Sequence, residues 1–354
     1  MYKRFGFVAV VLMGLLLVGL NVFASALEPD PNVWGVVPER VEPSPNAEYV
    51  LVTATLHPAP HPEDVMFRYF HRRLEELTNG RATTDYFADG ILAPGGDRDL
   101  LEQVQSGDID IARVTDSLIA AVVPGHEVFQ APYLFSDTEH LHRVADSSEF
   151  QDLTKDDFTK AGHVYKGTWA FARHLYSTDP IKSLTDLSGV RVRTMEVPVI
   201  MDAWQALGAV PTPLPWGEVY TGLQTGLVHA AEGSATAYFS NRMYEVAKHF
   251  SAISYMYAPI TMIINAKAYN SWPADIREAV DIACQESVEL VRELYQTWEY
   301  EVFAEMEENG AVIYGPEDIP DLNEWQAAVA KAGVNDDLFR RTGQEYLAII
   351  ESYQ

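Results

Sequence analysis

The chain has 354 residues, 47% of them hydrophobic, and sets 51 Asp and Glu against 25 Lys and Arg, for a formal net charge of −26. That length and composition suit two domains with sizeable cores. A field of that sign repels nucleic acid and anionic headgroups, which excludes partners of those classes and makes every arginine at a site conspicuous.

Lys3 and Arg4 precede an apolar run from Phe5 to Leu20, and Ala24-Ser25-Ala26 fits a cleavage site. Residues 1–26 therefore read as a secretory signal peptide, with no membrane insertion after cleavage and a periplasmic destination. The run is short for a bilayer span, and no cysteine follows it to carry a lipid. Residues 27–46, rich in Pro and Glu, read as a flexible extension.

From Tyr49 the pattern alternates. Tyr49 to Thr55 has strand composition, and Pro62 to Leu77 carries Val65, Met66, Phe70, Leu74 and Leu77 at helical spacing. Arg81 to Phe87 reads as a strand, Asp97 to Gln105 as a helix and Ile109 to Val114 as a strand, a βαβαβ rhythm that implies parallel sheets flanked by helices. The rhythm repeats after Ala170. Trp169 to Tyr176 is a strand that sets Trp169, Phe171, Arg173 and Leu175 on one face. Val190 to Arg193 is another, with arginines and valines alternating. Pro198 to Leu207 and Pro215 to Gly226 read as helices. Ile276 to Met306 is the longest helical pattern, either a brace across two lobes or a core helix interrupted once. Cys284, the only cysteine, falls within it and reads as a small buried core residue.

One stretch is specific. It runs through Arg173, Pro180 to Gly189, Arg191-Val192-Arg193-Thr194, Pro211-Thr212-Pro213, Glu218-Val219-Tyr220, Leu223 to Gly226 and Glu232. This series resembles the solute receptors of tripartite ATP-independent periplasmic (TRAP) transporters. Leu100 to Asp110 and Ala131 to Phe135 match more loosely, and the resemblance covers about residues 47–354. It implies a two-lobed α/β binding-protein fold with crossing hinge strands near Ala170 and Ala258 and a long helix spanning both lobes. On that reading residues 47–170 and 259–298 form lobe I, and residues 171–258 and 299–354 form lobe II. It also implies a non-enzymatic receptor that binds a small organic acid, delivers it to TRAP permease subunits, and needs no cofactor.

By the same resemblance Arg193 grips a ligand carboxylate, a role suited to a planar fork of donors. Arg173 lies close to the ligand, and Trp216 is either a pocket wall or core. Asp116 either holds ligand hydroxyls or an amine, or caps a helix. Arg191 is expected to point away from Arg193's side, to the surface. The chain departs from the family where a ligand-bonding Asn is usual: Gly233 stands there, so the pocket is expected to be roomier. No Trp follows Glu232, so no metal is expected.

Other classes fit less well. His57-x3-His61 and His140-x-His142 have tempting metal-ligand spacing, but Pro58, Pro60 and Pro62 forbid a helix through the first pair. There is no H-E-x-x-H and no G-x-S-x-G. A receptor of an ATP-driven importer shares the two-lobe logic but lacks the Arg173-to-Glu232 series.

Overall fold

A computed structural model describes residues 34–59 and 61–354; the expected signal peptide lies outside them. Strand β1 (Tyr49–Ala54) pairs in parallel with β2 (Ala82–Phe87) and β3 (Ile111–Thr115). Helices Pro62–Thr78 and Asp97–Ser106 link them. The first buries Val65, Met66, Phe70 and Leu74 of the stripe its spacing predicts, with Phe67 beside them and Leu77 partly buried. Asn79 and Gly107, both left-handed, end the two helices.

Strand β4 (His163–Ser177) then leaves this unit for a second one. There β5 (Arg191–Thr194) is parallel to β6 (Val210–Pro213) and to β7 (Ala230–Gly233). Strand β8 (His249–Asn265) returns antiparallel to β4 along most of its length, and pairs antiparallel with β3. Strand β9 (Val312–Tyr314) lies parallel to β8. The order is β2-β1-β3-β8-β4-β7-β5-β6. Separate parallel sheets were the expectation; one mixed sheet is the outcome, because the crossing strands run antiparallel and weld the two units together.

The molecule has two lobes, each with its own core. Leu51, Phe67, Phe70, Trp169 and Val291 belong to one, Val192, Trp204, Tyr255 and Trp325 to another. The long helix is Ala274–Glu308, unbroken over 35 residues, which removes the alternative of an interrupted helix. At about 1.5 Å per residue it is roughly 50 Å long. Its Ile276-to-Trp298 part packs in the first core, while Val302 and Met306 pack with Tyr238 and Phe250 of the second lobe. Cys284 is buried within it, and burial pushes its thiol up to about 12.

Two irregularities in the β4–β8 pairing matter. Register slips between Tyr165 and Gly167, where Gly167 has φ +134° and a Cβ would lie 2.9 Å from Val288 Cγ2. The bulge lets the strand and the long helix touch backbone to side chain. A second slip falls between Arg173 and Leu175. Its extra residues lie in β8, where Met256 pairs with Arg173 and Ser251 with Leu175, so the alternation of β4 runs on while the strand crosses lobes: Trp169 and Phe171 pack in the first core, Leu175 in the second.

The described part of the expected flexible extension is fastened down. Trp34 sits edge-on to Tyr69 with ring centroids 5.6 Å apart, and its Nε1 donates to Glu293 at 2.6 Å. Arg68 donates to the Pro38 carbonyl at 2.7 Å. Trp34 and Val37 thereby cover Val65, Leu290 and Leu294.

Candidate functional site

Parallel strands of an α/β unit aim their carboxyl ends at ligands. Both lobes gather buried charges at such ends. In the second lobe, β5–β7 pairing sets Arg193 level with Ala231, and β4–β7 pairing sets Leu175 level with Glu232. Glu232 is fully buried, and Arg173 Nε donates to its Oε2 at 2.5 Å. Tyr255 donates to the same oxygen at 2.8 Å. Arg193, 4% exposed, donates from Nε to the Leu214 carbonyl at 2.9 Å, while its Nη1 stays 3.8 Å from Glu232 Oε1.

The two arginines are therefore not equivalent. Burial alone would pull Arg173 down, yet the Glu232 carboxylate holds it above the ordinary arginine value. For Arg193 burial wins: Glu232 offsets it only in part and the neighbouring Arg173 cation adds to it, so the guanidinium sits below its ordinary value. Among the described residues Nη1 and Nη2 of Arg193 donate no hydrogen bond. A buried cation with an unfilled fork is a seat for an anion.

The neighbours of Arg193 sort as follows. Trp216, 38% exposed on the short turn Trp216–Glu218, places its ring centroid 5.5 Å from the Arg193 guanidinium. It stands at the site rather than in the core, with cation–π geometry. The run read as one helix from Pro215 is this turn followed by helix Val219–Gln224. Arg191 is exposed, and bonds the Leu227 and Gly226 carbonyls at 2.7 Å each. Strand alternation does not separate it from Arg193, since residues two apart share a face. Position along β5 does: Arg191 opens the strand at the surface and Arg193 lies near its carboxyl end.

Two expectations are corrected. The room expected beside Gly233 is filled, because a Cβ there would lie 3.2 Å from the Tyr176 ring. Asp116 neither caps nor faces a ligand. It is fully buried, accepts from Thr261 at 2.6 Å and lies 2.9 Å from His126 Nδ1. The strand β3 turns directly into helix Asp116–Val122, which tucks the carboxylate under β8.

The first lobe holds a cluster that sequence reasoning missed. Arg113, 3% exposed on β3, pairs with Glu63 at 2.6 Å and Asp97 at 2.5 Å, and its Nη2 lies 2.9 Å from His57 Nε2. Burial alone would raise Glu63, but Arg113, with His57 and His61 acting in the same direction, more than reverses it, and the carboxyl is held down at about 2. His61 caps helix Pro62–Thr78 by accepting from Glu63 N–H, and stacks on His57 with centroids 3.8 Å apart. The signal was present in the sequence: an arginine between Ala112 and Val114 in a strand of buried type. Rings connect the two clusters. His61 is 5.9 Å from Tyr295, Tyr295 is 5.7 Å from Phe171, and Arg173 follows two residues along β4.

His57, His61 and Glu63 have ligating atoms within 4.8 Å of one another. They make a poor cation site, because Glu63 already neutralises Arg113 and His61 Nδ1 is spent on the cap. A cavity of about 440 Å³ lined by His142, Ala170, Arg292, Tyr295 and Glu299 lies apart from the Arg193 cluster. Its arginine is bound to Asp146 at 2.7 and 2.9 Å and to the Thr168 carbonyl, so it offers no open fork.

The family model described as bacterial extracellular solute-binding protein, family 7, matches residues 53–335. The 2,3-diketo-L-gulonate-binding periplasmic protein of Escherichia coli is 27% identical over 254 residues, 71% of this chain and 76% of that one. A TRAP periplasmic solute-binding protein from Roseobacter denitrificans, solved with bound β-D-glucuronate, is similar with a TM-score of 0.76 at 28% identity, covering 86% of this chain and 99% of that one. One from Xanthobacter autotrophicus, solved with bound β-D-galacturonate, gives 0.74 at 28%, with 86% and 98% covered.

Proposed function

This chain belongs to bacterial extracellular solute-binding protein family 7, the receptors of TRAP transport, and we propose that it carries a carboxylate-bearing organic acid gripped by Arg193. The carrying observation is the unfilled fork: Arg193 is buried, below its ordinary basicity, and 3.8 Å from the acid that would neutralise it. Arg173 and Glu232 form the frame that holds the site rather than its grip, and Trp216 walls it. The glucuronate, galacturonate and 2,3-diketo-L-gulonate of the similar proteins are all carboxylates, which supports the same class here.

The lobes of this reading are residues 47–170 with 259–298, and residues 171–258 with 299–354. A ligand bridging them favours the closed form by its differential affinity for that form. The closed receptor then delivers its cargo to the permease subunits of a TRAP system, and the periplasm is its place of work. The test is calorimetry with D-glucuronate, D-galacturonate and succinate beside their methyl esters. The acids are expected to bind and the esters to bind far more weakly. Equal binding of acid and ester would remove the carboxylate from the recognition, and with it the role of Arg193.

A further inference from the structure

The first-lobe cluster contains a hydrogen-bond donor whose identity is fixed by chemistry alone. Arginine nitrogens donate and never accept. The 2.9 Å contact between Arg113 Nη2 and His57 Nε2 therefore requires Nε2 to be the unprotonated, accepting nitrogen. Burial, the largest influence on His57, lowers its basicity, and Arg113 adds to that against the pull of Glu63, so the ring is neutral at neutral pH. A neutral imidazole accepting at Nε2 carries its proton on Nδ1.

The contacts around the ring fix its orientation. Arg113 cannot turn away, since Glu63 and Asp97 bind its other nitrogens. Glu63, 3.7 Å from His57 Nε2, is itself held by Arg113, Thr55 and Tyr295. His61 covers one ring face at 3.8 Å. Yet the His57 side chain is 38% exposed, and among the described residues Nδ1–H has no acceptor. A donor of fixed tautomer and orientation, open to solvent just past the carboxyl end of β1, serves no partner in the fold.

We infer that His57 Nδ1–H reads a hydroxyl oxygen of the bound acid, so that this receptor selects hydroxy acids over plain dicarboxylates. The inference rests on the receptor reading above, with Arg193 taking the carboxylate. It assigns Arg113 a positioning role, because Glu63, Asp97 and His57 hold its guanidinium in place. A plain dicarboxylate would bring a second negative charge toward Glu63 and Asp97 and leave the His57 donor without a hydroxyl.

Two substitutions separate this role from support of the fold. His57→Gln places an amide oxygen where Nε2 was, which keeps the acceptor for Arg113 and removes the Nδ1 donor. His57→Asn places an amide nitrogen where Nδ1 was and gives up the contact with Arg113. Calorimetry uses D-glucuronate, D-galacturonate and succinate as probes, with thermal melting of each ligand-free variant. Wild type is expected to bind a uronate at least tenfold more tightly than succinate. His57→Gln should lose about tenfold for the uronate with an unchanged ligand-free melting temperature, the scale of one hydrogen bond. His57→Asn should recover part of the affinity despite melting lower. If His57→Gln binds a uronate as wild type does while Arg193→Ala loses it, this inference fails and the receptor reading stands. Succinate bound as tightly as the uronates overturns the inference as well. If wild type binds none of the three, the carboxylate reading fails and takes the inference with it.

Discussion

At the residue scale the site is a matter of which charges are already satisfied. Truncating one partner of a buried, hydrogen-bonded charge contact costs on the order of 2–5 kcal/mol of binding, roughly 30-fold to several-thousand-fold in affinity. Arg193→Ala should fall in that range, and Arg193→Lys should recover only part, since ammonium lacks the fork. Arg191→Ala is the control: its exposed side chain bonds the Leu227 and Gly226 carbonyls and His229, all in its own lobe, so calorimetry should return near wild-type affinity. Glu232→Gln should act on stability instead, because it strands Arg173 in a buried position, and chemical denaturation should lose about 3–5 kcal/mol. The arginines were legible because cations are scarce in this chain and a family pattern marked them. Arg113 was not, although its setting is alike. Nor was the inward turn of Asp116, which depends on His126 ten residues on and on Thr261, 145 residues away and invisible to local spacing.

At the scale of elements, periodicity carried the helices and the parallel pairs. It gave the amphipathic stripe of Pro62–Thr78 and Ile276 to Met306 of the long helix Ala274–Glu308, though not that this helix is unbroken. It underestimated β4 and β8, because strands buried on both faces lose the alternation that marks their ends. Bulges were equally hidden, and one of them sets a stringent contact. Gly167→Ala adds a methyl group 2.9 Å from Val288 at a backbone angle that suits glycine. Urea denaturation should register a loss of about 1–3 kcal/mol, the usual cost of overpacking. A companion Val288→Ala, which opens that space, should return part of it. Loss of the same size in the double variant would place the strain elsewhere.

At the scale of the whole molecule, pH and closure are the observables. Burial lowers His61 to about 3, His142 to about 3 and His163 to about 4, each from an ordinary 6.5. The unfolded chain therefore binds more protons than the folded one below pH 6.5, and stability must fall as pH falls toward those values. Glu63 works in the same direction: held near 2 from an ordinary 4.5, it stabilises above the upper value and loses that contribution as pH drops through the lower. Calorimetric melting should thus decline steadily from pH 7 to pH 4; a flat profile would mean that these groups are hydrated. Small-angle scattering should give a smaller radius of gyration with a bound uronate, while an unchanged profile at saturation would argue for a rigid pocket.

The sheet order has a consequence for how this chain acquires its shape in time. Strand β8 is the seam between the lobes, flanked by β3 on one side and β4 on the other, yet it is synthesised after seven of the nine strands. Until residues 249–265 emerge, the early strands β1 to β3 have no neighbour to close their sheet against. Contacts so distant in sequence also slow the final collapse. The joining of the two lobes into one sheet therefore waits on residues 249–265, late in synthesis, whatever each lobe's own core has begun before then.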